Sequence, residues 1–555
     1  MMDSSPVRDE TAEETEDEEI EEASDIDDDA EDAEFKINSD TSDSDSMEEM
    51  EEQEGTDETE DWISKSGLSW SPSHEETLEY FPAPTGLAPG PTRYAISQIS
   101  TLKSAFDLFL TDDMLQLVLK RTNLHGREFT KGWKDIDLVD LEAYIGLLLL
   151  AGVYRSRSEN VKSLWDDQTG RAIFRATMSC GMFSLIGQNI RFDRKAERAE
   201  KSDDKLAAIR ELWDQWTDRL PLLFNPSRDI CIDEQLVPFK GHCRFRQYMP
   251  KKPGKYGIKI WVACDVPTNY VWRMQVYLGK AAGDAPEVGQ GKRVVIDLTK
   301  GLRGHTVTCD NFFTSHALAQ ELLKRKMALV GTIRSNKPEL PPQLLRIKKR
   351  AVLSSLFAFT KNTTFVSYVP KRGKNVTLLS TKHRRPVVNR DDKKKPEIIT
   401  DYNSCKGAVD TLDKLVGTYS CHRKTRRWPL AMFFNILDVS ACNAYVLWTA
   451  VDPTWFKTKS VRRRVFLEEL GKSLVNPQIA RRTTVPRSPF AAAIVKAART
   501  VPETDDSGPE GPSPKKRKVC FCCIKKKRKV YNVCCKCEKH ICREHMSTIC
   551  LSCCP

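Results

Sequence analysis

The hydrophobic period changes twice along this chain of 555 residues, and those two changes bound what it can fold into. From about Ile96 to Asn225, apolar residues recur at spacings of three and four: Ala105, Leu108, Phe109, Leu110, then Leu138, Leu141, Tyr144, Ile145, Leu148, then Leu212, Trp213, Trp216, Leu220. That is the period of helices packed on one face. After Asn225-Pro226 the runs Asp229–Leu236, Tyr256–Asp265, Tyr270–Leu278 and His305–Asp310 are short, rich in Val, Ile and Tyr, and bounded by turn residues, so they predict strands. Asn311 to Lys326 predicts a helix. Residues 337–400 hold short β-like runs (Thr364–Val369, Val376–Ser380) among Lys, Arg and Pro, which reads as an inserted subdomain. Long helices return over 403–450, where Phe433 to Val451, interrupted by Asn435, Asp438 and Asn443, reads as a buried amphipathic helix. Residues 455–500 are basic and helical. The pattern predicts an α/β protein with helical segments on both sides of a strand-rich core, and the length allows about three or four folded units.

Charge divides the chain more sharply than hydropathy. Residues 1–61 carry 30 Asp/Glu against Arg8 and Lys36, a net of −28, and too few apolar residues to fold. A Ser/Pro/Gly-rich linker is expected over 62–95. The remaining 494 residues carry 84 basic and 48 acidic groups, a net of +36. A basic body with an acidic tail implies a polyanionic partner, nucleic acid first.

Several classes are excluded. The longest unbroken apolar run, Ile145 to Tyr154, falls well short of the ~20 residues that span a bilayer. The acidic N-terminus is neither a signal nor a transit peptide. Lys472-Ser473 follows Gly471 without the earlier glycine of a nucleotide-binding loop, so ATP-driven chemistry is not expected. Ten of the 18 cysteines lie between Cys520 and Cys554 and the rest are scattered singly, the usage of an intracellular protein with one metal-like cluster rather than a secreted disulfide framework.

Three aspartates stand out by position. Asp233 lies inside the first predicted strand, Asp310 ends a later one, and Asp410 opens a predicted helix together with Asp413. A carboxylate inside an apolar strand is costly unless something pairs with it. Converging strand and helix carboxylates suit hard cations such as Mg²⁺ or Mn²⁺, and two such ions about 3.5–4 Å apart can activate an attacking oxygen and stabilise a leaving one in phosphoryl transfer. Spacing alone also fits turn-capping strand ends and an ordinary helix N-cap.

The wording around these residues is more specific. Ile232-Asp233-Glu234-Gln235-Leu236, Lys255-Tyr256-Gly257-Ile258-Lys259-Ile260, Thr308-Cys309-Asp310-Asn311, Val330-Gly331-Thr332, Arg334-Ser335-Asn336-Lys337, Val409-Asp410-Thr411-Leu412-Asp413 and Arg426-Arg427-Trp428-Pro429 occur in this order. Together they closely resemble the piggyBac family of cut-and-paste DNA transposases, from about Ile96 to the C-terminus. The resemblance implies an RNase H-like catalytic core over 229–421 with Asp233, Asp310 and Asp410 as catalytic, metal-holding residues and Asp413 a fourth acidic residue beside the metals. It also implies an insertion domain at about 338–400 and a mainly helical dimerisation and DNA-binding domain built from 96–228 and 422–500. The chemistry implied is nicking of transposon ends, hairpin formation on TTAA, hairpin opening and integration at TTAA, each a metal-assisted displacement at phosphorus. Lys255, Lys259, Arg334 and Lys337 of these motifs are carried as DNA contacts. Rival readings are a domesticated relative that binds DNA without cutting it, and a zinc-finger chromatin adaptor.

The tail, residues 520–555, contains Cys520-x₂-Cys523, Cys534-x₂-Cys537, Cys542-x₂-His545 and Cys550-x₂-Cys553, eight ligands for two tetrahedral zincs. The expected wiring is cross-brace, with Cys520, Cys523, Cys542 and His545 on one ion and Cys534, Cys537, Cys550 and Cys553 on the other. Surplus Cys522, Cys535, Cys554 and His540 leave the pairing open. So short a segment lacks an apolar core, and metal binding would supply its folding energy. Within the linker 501–519, Lys515, Lys516, Arg517 and Lys518 read as a nuclear-localisation signal. Lys526, Lys527 and Arg528 lie between the proposed zinc ligands and read as a DNA contact. Arg423, Lys424, Arg426, Arg427 and Trp428 combine charge with an aromatic plane, suited to phosphate contact and base stacking, and equally to a basic helix start whose Trp packs inward.

Overall fold

The computed structural model describes residues 61–73, 86–198, 200–201, 203–279, 287–456 and 461–499, with the backbone of the short strands Lys518–Val519 and Lys529–Val530. The linker expected over 62–95 is structured where it is described. Trp62–Ile63 (β1) and Ser69–Trp70 (β2) pair as an antiparallel hairpin with Trp62 opposite Trp70. The turn passes through Gly67 at φ +80°, which glycine adopts without strain. Trp70 is fully buried, donates its indole N–H to the Glu339 carbonyl (2.8 Å), and is followed by a bridge from Ser71 to Phe359. A Pro/Gly/Ser composition suggested a tether. Two indoles supply enough apolar area to dock it.

The first helical part includes Asp112–Phe129 (α1), Leu138–Val153 (α2) and Arg210–Leu223 (α3). A capping box starts α2: Asp137 accepts from the Asp140 N–H (2.9 Å) and Asp140 from the Asp137 N–H (3.1 Å). The helix is then buried around its circumference from Ala143 to Val153.

The chain next enters the sheet with Asp229–Pro238 (β3), Arg246–Tyr248 (β4), Tyr256–Asp265 (β5) and Val271–Val276 (β6). Gln290–Leu298 (α4), which the sequence did not signal, leads to Thr306–Cys309 (β7), then His316–Lys324 (α5) and Ala328–Thr332 (β8). Ser355–Phe359 (β9), Thr364–Lys371 (β10) and Lys374–Ser380 (β11) complete it. Among the described residues these nine strands form one mixed sheet in the order β9-β10-β11-β8-β7-β3-β5-β4, with β6 also on β5. Strands β3, β7 and β8 are mutually parallel, β5 runs antiparallel to β3, and β6 runs antiparallel to β5. The segment expected as an inserted subdomain therefore extends the same sheet through β11 on β8, over its own small apolar cluster of Val366, Tyr368, Leu378, Ile398 and Tyr402.

Glu397–Cys405 (α6), Ala408–Thr418 (α7), Trp428–Val451 (α8), Arg462–Ala480 (α9) and Pro489–Arg499 (α10) follow. Helix α8 is long and apolar enough to cross a membrane, yet most of it is buried inside the protein. It is buried as expected but not amphipathic, because Asn435, Asp438, Ser440 and Asn443 are buried too and paired. Asn435 donates to Gln235 of β3 (3.0 Å) and the Ser440 hydroxyl accepts the Trp216 indole N–H of α3 (2.9 Å). Asn443 both donates to and accepts from the Val271 backbone of β6 (3.0 and 2.9 Å). Buried polar groups need partners, and these partners lie on different elements, so α8 pins the sheet to the helical part. Helix α9 closes against α2, where the Gly146 and Gly471 backbones approach so closely that a Cβ on Gly146 would sit 2.9 Å from the Gly471 carbonyl.

Candidate active site

Register places the two strand aspartates together. In the parallel pair β3–β7, Ile232 lies opposite Cys309, so Asp233 and Asp310 stand side by side at the next position, on one face. Asp310 falls just past β7 and caps the following turn, its carboxylate accepting from the Phe312 N–H (2.9 Å). Asp233 accepts from the Glu234 N–H (2.8 Å). Burial, then repulsion from Asp310 and Glu234, pushes the Asp233 carboxyl up to about 8. Burial and Glu234 raise Asp310 as well. Two neighbouring carboxyls held above their ordinary range form an under-compensated anionic pair.

Helix α7 brings the other two. Its N-terminal approach is held on β3 by the Cys231 thiol, which donates to the Lys406 carbonyl (3.2 Å). Asp413, on the inner face of α7, is hydrogen-bonded to Gln235, which Asn435 of α8 holds in turn. Burial raises the Asp413 carboxyl, and Lys252 opposes that shift. Asp410, in the first turn, keeps 64% of its side chain exposed.

The four carboxylates do not close into one cage. Among the described residues no three His, Cys, Asp or Glu side chains are gathered closely enough to hold an ion together. Asp233 with Asp310 forms one group and Asp410 with Asp413 another. The Lys252 ammonium pairs with the second group, 3.6 Å from Asp410 and 3.4 Å from Asp413, and donates to the Glu234 carbonyl (3.0 Å). Burial alone would lower the Lys252 pKa, but Asp413, Asp233 and Asp410 together outweigh it and raise it. The expected convergence of Asp410 on the strand pair is thus replaced by an ion pair to Lys252, which the exposed first turn of α7 allows. The donor set itself is all oxygen and under-compensated in charge, which fits a hard divalent cation.

The basic residues divide by role. Lys255 is exposed, in a left-handed turn position (φ +48°), and Arg334 is exposed and bears electrostatically on Asp310. Lys337 is half-buried. Lys259 pairs with Glu234 (3.1 Å) and stands over the Phe312 ring at 5.0 Å. Arg423 and Arg427, expected to contact DNA, are committed to the protein's own backbone. Arg423 donates to the Ser156 and Glu159 carbonyls, and Arg427 to those of Gln188 (2.6 Å) and Ile190 (2.9 Å). Trp428 packs inward, edge-on to Phe245 at 5.0 Å. Lys424 and Arg426 remain exposed.

Arg427→Ala is therefore expected to destabilise the protein by about 2 kcal/mol, the scale of lost charged hydrogen bonds, and to leave affinity for a generic duplex nearly unchanged. Thermal unfolding and a salt titration of binding would check this. A phosphate contact would instead reduce the salt slope by about one.

The zinc ligands proposed from Cys520 to Cys553, Lys515 to Arg517, and Lys526 to Arg528 lie outside the described residues. Of this region only the backbone pairing of Lys518–Val519 with Lys529–Val530 is described. Sequence reasoning missed Lys252, Glu234 and Gln235. A further omission is Tyr402, whose phenol is buried near the pair and lies 3.5 Å from the Thr332 hydroxyl. The basic turn Lys251-Lys252-Pro253-Gly254-Lys255 was visible, but not which lysine points inward.

With this geometry in place, comparison with known proteins is decisive. The family model described as Transposase IS4 matches residues 103–445. This chain belongs to the piggyBac-type transposase family. It is 22% identical to human PiggyBac transposable element-derived protein 3 over 411 residues, 70% of this chain and 68% of that protein. To human PiggyBac transposable element-derived protein 5 it is 22% identical over 427 residues, covering 70% and 77%. A solved piggyBac transposase synaptic complex with hairpin DNA, determined by cryo-electron microscopy, matches with a TM-score of 0.70 at 33% identity, over 84% of this chain and all of the other. The piggyBac-type chain thus has an α/β fold, a mixed sheet with helices, similar to that transposase.

Proposed function

We propose that this piggyBac-type chain is a nuclear, metal-dependent DNA transposase that nicks transposon ends, excises through hairpins and integrates at TTAA. The observation that carries it is the register-matched pair Asp233–Asp310, with Asp410 and Asp413 on a helix packed over the same strand, in a chain of this family. The sheet order supports an RNase H-like core, because β3, β5 and β6 form an antiparallel meander and β7 and β8 add parallel to β3 on its other side. Asp233, Asp310 and Asp410 would hold Mg²⁺ or Mn²⁺, which supplies activation of the attacking oxygen and charge stabilisation at phosphorus. Gln235 and Asn435 fix Asp413 and with it the depth of α7 on β3. Arg334, exposed and bearing electrostatically on Asp310, suits a phosphate flanking the reacting one, and the exposed Lys255 suits a phosphate further along the duplex. Helices on both sides of the sheet suit a two-part dimerisation and DNA-binding domain, α2 packed on α9, because two ends must be held in one complex.

Incubating the full chain with labelled candidate ends and Mn²⁺ tests this. Nicks followed by hairpins support the reading, and binding without cleavage supports the alternative of a DNA-binding relative, which the transposable element-derived names of the human proteins make specific. For the tail, two bound zincs are expected, and Cys534→Ser should release one or both and weaken end binding while the core keeps its thermal transition. A metal assay without zinc would contradict it.

A further inference from the structure

Lys252 sits where none of the matched motifs assigns a role. It belongs to the turn Met249–Lys255, which is locked by three backbone hydrogen bonds. Met249 N–H donates to Lys255 (2.7 Å), Lys252 N–H to Met249 (3.1 Å) and Lys255 N–H to Lys252 (2.9 Å). The left-handed backbone of Lys255 completes it. This turn leaves Lys251 and Lys255 exposed and turns Lys252 inward, with 19% of its side chain exposed. An ammonium has three donors, and three oxygens face it: the Glu234 carbonyl at 3.0 Å, Asp413 at 3.4 Å and Asp410 at 3.6 Å.

We propose that Lys252 is the built-in counter-cation of the acidic site, competing with a divalent ion for Asp410 and Asp413 and so setting the ion concentration at which the site loads. A divalent ion bound through Asp410 must either tolerate an ammonium a few ångströms away or draw Asp410 off Lys252. In a half-buried site such charges interact several times more strongly than in water. Asp410 is exposed enough to swing. Lys252 keeps the Glu234 carbonyl as an anchor that no ion contests, so it can release Asp410 without leaving the turn. This rests on reading Asp233, Asp310 and Asp410 as ion ligands.

Mn²⁺ titration of the full chain, followed by the spin resonance of free Mn²⁺, tests it. Asp310→Asn serves as the reference, because it retains the acidic N-terminal segment and any weak binding there. The Asp310-dependent component should tighten about tenfold in Lys252→Gln and stay near wild type in Lys252→Arg, which keeps the charge. Wild-type protein gives a second reading. Saturating Mn²⁺ should increase acylation of Lys252 measured by mass spectrometry, with Lys251 and Lys255 unchanged. Equal or weaker Mn²⁺ affinity in Lys252→Gln, or labelling of Lys252 indifferent to Mn²⁺, overturns the inference while the ion site stands. Wild-type protein with no Asp310-dependent binding overturns the functional reading as well.

Discussion

Asp233→Asn is expected to abolish metal-dependent DNA cleavage, by about a thousandfold or more, and at the same time to stabilise the protein in chelator at pH 8. The first effect follows from losing a charged ion ligand at the reacting centre, where one preorganised electrostatic contact is worth about 10²–10³ in rate. The second follows from the raised carboxyl. Its ordinary value is 3.8, and in the fold burial and Asp310 push it up to about 8. The unfolded chain therefore loses this proton at lower pH than the folded one does. The contribution to stability is full below about 4 and is lost as pH rises towards about 8. Removing the charge should gain nothing near pH 4 and about 5 kcal/mol at pH 8, several degrees in thermal midpoint. Mn²⁺ should close the gap by stabilising wild type alone. Asp410→Asn should give no such gain, because that side chain is exposed and would lose Lys252. Wild-type stability that is flat in pH, or cleavage that survives in Asp233→Asn, would contradict the assignment.

The second large effect is structural. Asp438 is buried in α8 and holds the segment between α7 and α8, accepting from the Ser420 hydroxyl (2.7 Å) and the Cys421 N–H (2.9 Å). Asp438→Ala leaves two buried donors unpaired, at about 1–3 kcal/mol each, so a loss of about 3 kcal/mol is expected. Asp438→Asn keeps an acceptor and should lose about 1 kcal/mol. Burial raises the Asp438 carboxyl to about 6 against those hydrogen bonds. Wild type therefore gains stability as pH falls through 6, and the deficit of Asp438→Ala should widen from pH 8 to pH 5. Thermal midpoints across that range would show it, and a deficit that narrows would contradict the assignment.

What was legible follows physical range. Strands β3, β5 and β7 are bounded by turn residues and rich in β-branched side chains, so the placement of Asp233 and Asp310 on strands was readable locally, as was Asp410 at a helix start. Strand β8 was not. Its short Ala328–Thr332 run contains Gly331, whose missing Cβ makes room for the Thr314 hydroxyl, a need visible only in three dimensions. The inward course of Arg427 depends on carbonyls 237 and 239 residues away, and no local pattern announces that. The docking of the Trp70 hairpin depends likewise on Glu339, 269 residues on. At the site, the motif words led to the carboxylates, while Lys252 was hidden in a turn carrying three lysines of equal local standing.

If β3, β7 and α7 form one divalent-ion site, radicals generated at a bound ion should cut all three elements. Replacing Mn²⁺ by Fe²⁺ in the full chain, with ascorbate and peroxide to generate radicals at the bound ion, tests it most directly. Backbone cuts are expected close to residues 233, 310 and 410 together, and all three should vanish in Asp310→Asn and under excess Mn²⁺. Cuts confined to the acidic segment 1–61, or cuts at these positions that persist in Asp310→Asn, would contradict it.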